Sequence, residues 1–155
     1  MDFAKPNIIR ISDAGDHMPI DHAGKHAAIL YPDFGIQFAV GAKGFDKAAN
    51  YDSTIKRAAD LTHAGESGWI LAPDLRLQLL TIDSSRLNPA ADPALFPDAL
   101  SAWYWTSHGC AWSMDDAGVP AAFWQVRGLD GNLDSGDRSY EAFARPCRFV
   151  ARAGQ

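Results

Sequence analysis

Four short aromatic runs late in the chain constrain its fold more than any other feature: AWYWTS at 102–107, CAWSM at 110–114, AAFWQVRGL at 121–129 and ARPCRFVA at 144–151. Gly, Asp and Ser punctuate them, the pattern of short antiparallel strands joined by irregular loops. The helical signal lies earlier and is brief. Ala48, Tyr51, Ile55, Ala58 and Thr62 recur at helical spacing, which predicts a helix over 47–63 with Asp46 as its cap and Gly65 just past its end. A second, short helix is expected after Pro73, with Pro73 in its first turn and a stripe of Leu71, Leu75, Leu79 and Ile82. Ahead of both, Ala27–Val40 reads as a β-hairpin turned by Tyr31-Pro-Asp-Phe-Gly35, and Asn7–Ile11 as a short strand. Hairpin, helix, helix, long loop and then strands is the order of an α+β fold.

With 155 residues, 47% of them hydrophobic, the chain is long enough to bury one core without disulfides or a structural metal. Fourteen basic against 19 acidic side chains give a net charge of −5, with no run of Lys or Arg, which argues against nucleic-acid binding and against anionic membrane surfaces. No apolar run reaches membrane-spanning length, and the first residues lack the basic start and apolar stretch of a signal peptide, so a soluble chain without a Sec address is expected. Residues 1–25 are polar and mixed and read as an N-terminal extension, suited to anchoring or assembly, ahead of a single domain over 26–155.

Candidate chemistry is sparse. Cys110 and Cys147 are too few for a disulfide framework and too far apart for a CxxC motif; they read as buried thiols or as one bridge. His108 beside Cys110 suggests a nucleophile and base, but no orienting carboxylate is evident. Asp130, Asn132, Asp134 and Glu141 place oxygens at positions 1, 3, 5 and 12 of a calcium-loop pattern. Ser135 stands where the sharp turn needs Gly, Asp137 replaces an apolar residue, and the flanking FWQVRG reads as strand, so a solvated hairpin loop competes with the ion site. His17, His22 and His26 with Asp16 and Asp21 fit no standard zinc spacing. The expectation is therefore no cofactor and no catalytic residue.

Five segments in order resemble the DUF1566 family, also called the Lcl C-terminal domain. LYPDFGIQF is similar to its "D..TGL.W" opening; Gly68-Trp-Ile-Leu-Ala-Pro73 with Leu75 and Leu79 to "GWRLPT..EL..L"; Phe96-Pro97 with Trp103–Ser107 to "FP…YWSS"; Ala121–Val126 to "AW.V.F"; and Arg145–Val150 to "VRCVR". Together they span 27–151. Ile70 and Ala72 depart from the family's Arg and Thr, the latter removing a hydroxyl cap from the second helix. The resemblance implies a C-type-lectin-like fold: two helices packed on a twisted antiparallel sheet with long irregular loops. Relatives of that fold include sugar-binding lectins, receptor-binding proteins of phages and formylglycine-generating enzymes, so the fold alone chooses no function. The lectin EPN, QPD and WND signatures are absent, since Trp105 is followed by Thr106-Ser107.

Seventeen aromatic residues, six of them between Trp103 and Trp124, cluster on the late strands. In a strand Trp103 and Trp105 point to one face and Tyr104 to the other; one set is expected to fill the core while the other, with Trp112, borders the loops that form the ligand face in this fold. The expected face comprises Tyr104 and Thr106 on the strand, His108, Trp112, Asp115 and Asp116 on the 108–120 loop, and Asp130, Asn132, Arg138 and Tyr140 on the 130–140 loop. On this reading the chain is a non-enzymatic binding module for a surface glycan or protein. The resemblance extends that to a phage tail or other virion component, assembled with other virion proteins or with copies of itself, or otherwise a cytoplasmic protein. Alternatives are a thiol-dependent enzyme using Cys110, His108 and Cys147, and an intracellular interaction domain.

Overall fold

The computed structural model describes residues 6–19 and 21–151. It is a mixed α+β fold with two antiparallel sheets, not one. The first has five strands in the order β2-β1-β3-β4-β8, where β1 is Ile9–Ile11, β2 His17–Met18, β3 Ala28–Tyr31, β4 Ile36–Ala39 and β8 Cys147–Phe149. The second has three, β5 (Trp103–Gly109), β6 (Ala122–Arg127) and β7 (Leu133–Asp137), in that order.

The β3–β4 hairpin forms where expected, with Phe34 N–H donating to Tyr31 across the Pro32–Gly35 turn. All eight of its strand residues are buried, because the first sheet is covered on both faces. Ala28, Leu30 and Ala39 face a cluster that also holds Trp69, Leu71, Trp105 and Phe123, together with α1 (Tyr51–Ala59). Ile29, Tyr31, Ile36, Phe38 and Cys147 face a second cluster, closed by Ala91 and Phe96 of the long 83–101 loop and by Leu77 and Leu80. That loop, interrupted by Pro89, Pro93 and Pro97, has no regular structure and roofs this face. Burying each of the large side chains contributes roughly 1.5–3 kcal/mol.

Three sequence expectations shift. The first helix starts at Tyr51, not near 47, because Ala49 exchanges both backbone hydrogen bonds with Ala142 and Asn50 then caps the helix through Ser53 N–H at 2.9 Å. The second, α2 (Leu75–Gln78), runs into a 3-10 turn at 79–81, and Pro73 lies ahead of its cap rather than in its first turn. Asp74 accepts from Arg76 N–H at 2.9 Å and His108 Nδ1 from Leu75 N–H at 3.1 Å, so two other side chains do the capping that Ala72 cannot. CAWSM is not a strand: Ala111–Ser113 is a 3-10 turn, and Met114 makes a single bridge to Pro120.

The segment expected as an extension is part of the core sheet. β1 pairs with β3 from Ile9↔Leu30 to Ile11↔Ala28 and with β2 on its other side, so the described part of 1–25 supplies two of five strands; residues 1–5 and Ile20 of it lie outside the described residues. The sheets join where Trp105 N–H donates to Phe143 at 2.8 Å and Phe143 N–H to Trp103 at 2.9 Å. Where the chain leaves β6, a Cβ on Gly128 would fall 2.0 Å from the Leu100 carbonyl oxygen, so only glycine admits that crossing.

Candidate functional site

Both faces of β5 are covered, which divides the expected ligand residues. Thr106 is fully buried and donates its hydroxyl to the Trp124 carbonyl at 2.7 Å, and Tyr104 is buried with its oxygen accepting from Leu100 N–H at 2.9 Å. Neither lies on an open face, because Trp105 and Phe123 pack on one side of the strand and the 96–100 segment and Arg145 close the other. Burial pushes the Tyr104 phenol above its ordinary value, with the Arg145 charge opposing. His108 is half-buried, and its Nδ1 is occupied by the α2 N–H.

The open residues sit on the excursion between β5 and β6. Trp112 is 70% exposed, with Met114 and Val119 exposed beside it in the chain. The loop under them is tightly bonded: Asp115 Oδ1 accepts from Ala117 N–H at 2.9 Å and Val119 N–H at 2.8 Å, and Ser113 Oγ bridges the Cys110 carbonyl and Ala122 N–H. Asp115 is thus a strut of the loop, while Asp116 is exposed. Arg138 is also a strut: it pairs with Asp52, donates to the Pro120 carbonyl at 3.2 Å and lies 5.8 Å from the Tyr51 ring centre. That ring in turn stacks on Phe123 at 3.6 Å. Arg138 N–H donates to the Ala121 carbonyl, which sets the 137–140 turn and its 64%-exposed Tyr140 against the end of the 110–121 loop.

The second expected loop holds an unforeseen strand. β7 pairs with β6 from Ala122↔Asp137 to Val126↔Leu133. Its sequence lacks an apolar alternation because Gly136 lies against the Gln125 side chain, where a Cβ would fall 2.3 Å from Nε2. Asp130 accepts from Asn132 N–H and Nδ2 and faces Arg127 at 3.6 Å; Asp134 accepts from Ser135 N–H at 2.7 Å. Asp134 lies in the extended strand and Glu141 beyond the turn that follows, so the calcium-loop spacing is not curled around one point. Among the described residues no three His, Cys, Asp or Glu side chains converge as a metal site would need. His22 accepts from Gly24 N–H, and His26 lies between Arg10 and the Leu95 carbonyl.

Cys110 and Cys147 are buried, unbridged thiols, one just past β5 and the other in β8 of the other sheet. Burial pushes Cys147 up to about 12, and burial together with the Asp134 charge raises Cys110. A thiol held protonated is a poor nucleophile and a poor soft-metal ligand.

Sequence reasoning missed a groove of about 520 Å³ between the 41–47 loop, the 98–100 segment and residues 144–146. Its floor is Arg145, which is 5% exposed and lies 4.6 Å from the Phe96 ring centre. Arg145 Nη1 donates to the Ala39 carbonyl at 2.8 Å and to Asp98, whose Oδ2 also accepts from Gly41 N–H. Asp98 and Arg145 are far apart in sequence, so nothing local announces the pair. The only trace is the Gly41–Lys47 stretch, where Gly41 at φ +66° turns the chain outward and two lysines follow. No helix among the described residues is long and apolar enough to cross a membrane. Comparison of the chain with protein-family models, with curated proteins and with solved structures gives no match in any of the three.

Proposed function

We propose that this chain is a non-enzymatic binding module of C-type-lectin-like architecture that recognises a surface glycan or protein through the 110–121 loop and the adjoining 137–140 turn. The observation that carries the reading is a pair of large rings held out in solvent, Trp112 and Tyr140, on loops whose backbones are bonded to a rigid sheet. Stiff rings with polar edges bury much area at small entropic cost, which is why binding surfaces use them. Two features support the architecture: β8, the last described strand, pairs with the early β3–β4 hairpin, and the candidate binding loops emerge from a separate three-stranded sheet. By the DUF1566 resemblance, the reading extends to a component exposed on a cell surface or a virion. The structure of the thiols supplies no observation favouring the enzyme alternative.

The test is adhesion of fluorescently labelled protein to a panel of bacterial cells, before and after periodate treatment to destroy glycans or protease treatment to strip proteins. Adhesion that falls at least tenfold in a W112A/Y140A double variant, with Tm within about 2 °C of the parent, is the expected result. No adhesion to any cell, or equal adhesion by the double variant, overturns the reading.

A further inference from the structure

The groove floored by Arg145 stands apart from the 110–121 loop and its Trp112: Tyr104, in the groove wall, and that loop lie at opposite ends of β5, about 20 Å apart along the strand. Its lining carries a net positive charge in an acidic chain. In a chain of net charge −5, Arg76, Arg86, Arg127, Arg138, Arg145 and Arg148 each face a carboxylate. Lys43 and Lys47 on the groove's rim, like Lys25 and Lys56 elsewhere, form no ion pair among the described residues. Arg57, immediately behind the rim, donates instead to the Gly44 and Lys47 carbonyls and so braces the loop that carries both lysines.

The interior explains what such a rim would select. Three cations, Lys43, Lys47 and Arg145, and two carboxylates, Asp46 and Asp98, line the groove, leaving one positive charge in excess. That excess suits a singly charged anion better than a doubly charged phosphate. Arg145 commits Nη1 to Ala39 and Asp98 and also acts on the Tyr104 hydroxyl, and its planar guanidinium has the shape that matches a carboxylate. Around it lie the half-exposed Leu100 and the edges of Ala42 and Phe45, which offer apolar contact to the C–H face of a ring. Behind Tyr104 and Arg145 a chamber of about 20 Å³ holds Gln78, 2% exposed, whose Oε1 has no partner among the described residues. The chamber is the size of one water, which would give that oxygen its donor.

We infer that this groove binds a monoanionic, carboxylate-bearing sugar, with the carboxylate toward Arg145, the ring against Phe45 and Leu100, and Lys43 and Lys47 drawing the anion in. The volume falls within the range of small-molecule sites.

The test is an NMR amide titration of the full chain with four probes: glucuronate, glucose, glucose 6-phosphate and a short Asp/Glu peptide. Glucuronate is expected to shift the amides of Gly41–Lys47 and Asp98–Leu100, to bind at least tenfold more tightly than glucose and to weaken as salt rises. The surface double variant K43Q/K47Q, which alters no buried contact, should lower that affinity about tenfold. R145K tests the fork, but Asp98 depends on Arg145, so the lysine pair keeps the outcome readable if R145K does not fold. Glucose binding equal to glucuronate, shifts confined to residues outside the groove, or an unaltered K43Q/K47Q affinity would each overturn the inference. Preference for the phosphate or for the peptide would overturn its choice of ligand.

Discussion

Cys147 shows how a single buried atom couples this protein's stability to pH. Its thiol lies among Ile29, Ile36 and Phe38 with burial alone raising its ionisation to about 12. The neutral form is the one the fold accommodates, whereas an unfolded thiol ionises near its ordinary value of 9.0. The stabilisation is therefore complete below about pH 9 and is lost as pH climbs from there toward 12, at up to about 1.4 kcal/mol per pH unit. Buried Tyr31, whose phenol is also pushed up, acts in the same direction. Thermal melts between pH 8 and 11 should show Tm falling, and C147A should show a shallower fall; equal slopes would mean other groups dominate. Burial of this thiol is one of the two readings the sequence offers, since Cys147 falls in the expected last strand. The Arg145–Asp98 pair nearby was not readable, since neither residue has a local pattern and only the folded chain brings them within 3.0 Å.

At the scale of the element, hydrogen bonds decide what periodicity cannot. The apolar spacing around Tyr51 and Ile55 announced α1, but its start was set by Ala49 pairing with Ala142, a contact across most of the sequence. β7 was invisible for a related reason: LDSGD has the composition of a loop and becomes a strand only because β6 offers it an edge. The hairpin at 28–39 was legible throughout, since its turn residues and its apolar strands agree locally. At the tip of the 110–121 loop one carboxylate holds two amides, so Asp115→Ala should release the Ala117 and Val119 amides at a cost of about 1 kcal/mol. Hydrogen exchange should quicken at those two amides while the β5–β6 amides keep their protection. Quickening across the whole second sheet would show that the loop is coupled to the strands more tightly than its bonds suggest.

For the molecule as a whole, closure rests on the last described strand. β8 bonds to β4 on one side, while Cys147 exchanges both backbone hydrogen bonds with Ile70 on the other, and Val150 N–H reaches the Gly35 carbonyl. Ending the chain after Arg145 removes all of these and bares Phe38 and Ile36, so the truncated chain is expected to lose its cooperative melt and its near-UV dichroism. Retention of both would show that the first sheet keeps its core without β8. The general class, helices set apart from antiparallel strands, followed from the order of sequence patterns; the division into two sheets did not, because strand runs carry no label for their partners.

The sheet order has one more consequence. Ile9, Leu30, Gln37 and Arg148 stand in register across β1, β3, β4 and β8, so the beginning of the first strand and the end of the last leave the same edge of the sheet, three strand spacings or about 14 Å apart. A bridge of roughly five residues spans that gap. The fold is accordingly suited to circular permutation, and to being spliced whole into a turn of another protein, with its exposed rings and its basic groove carried along unchanged.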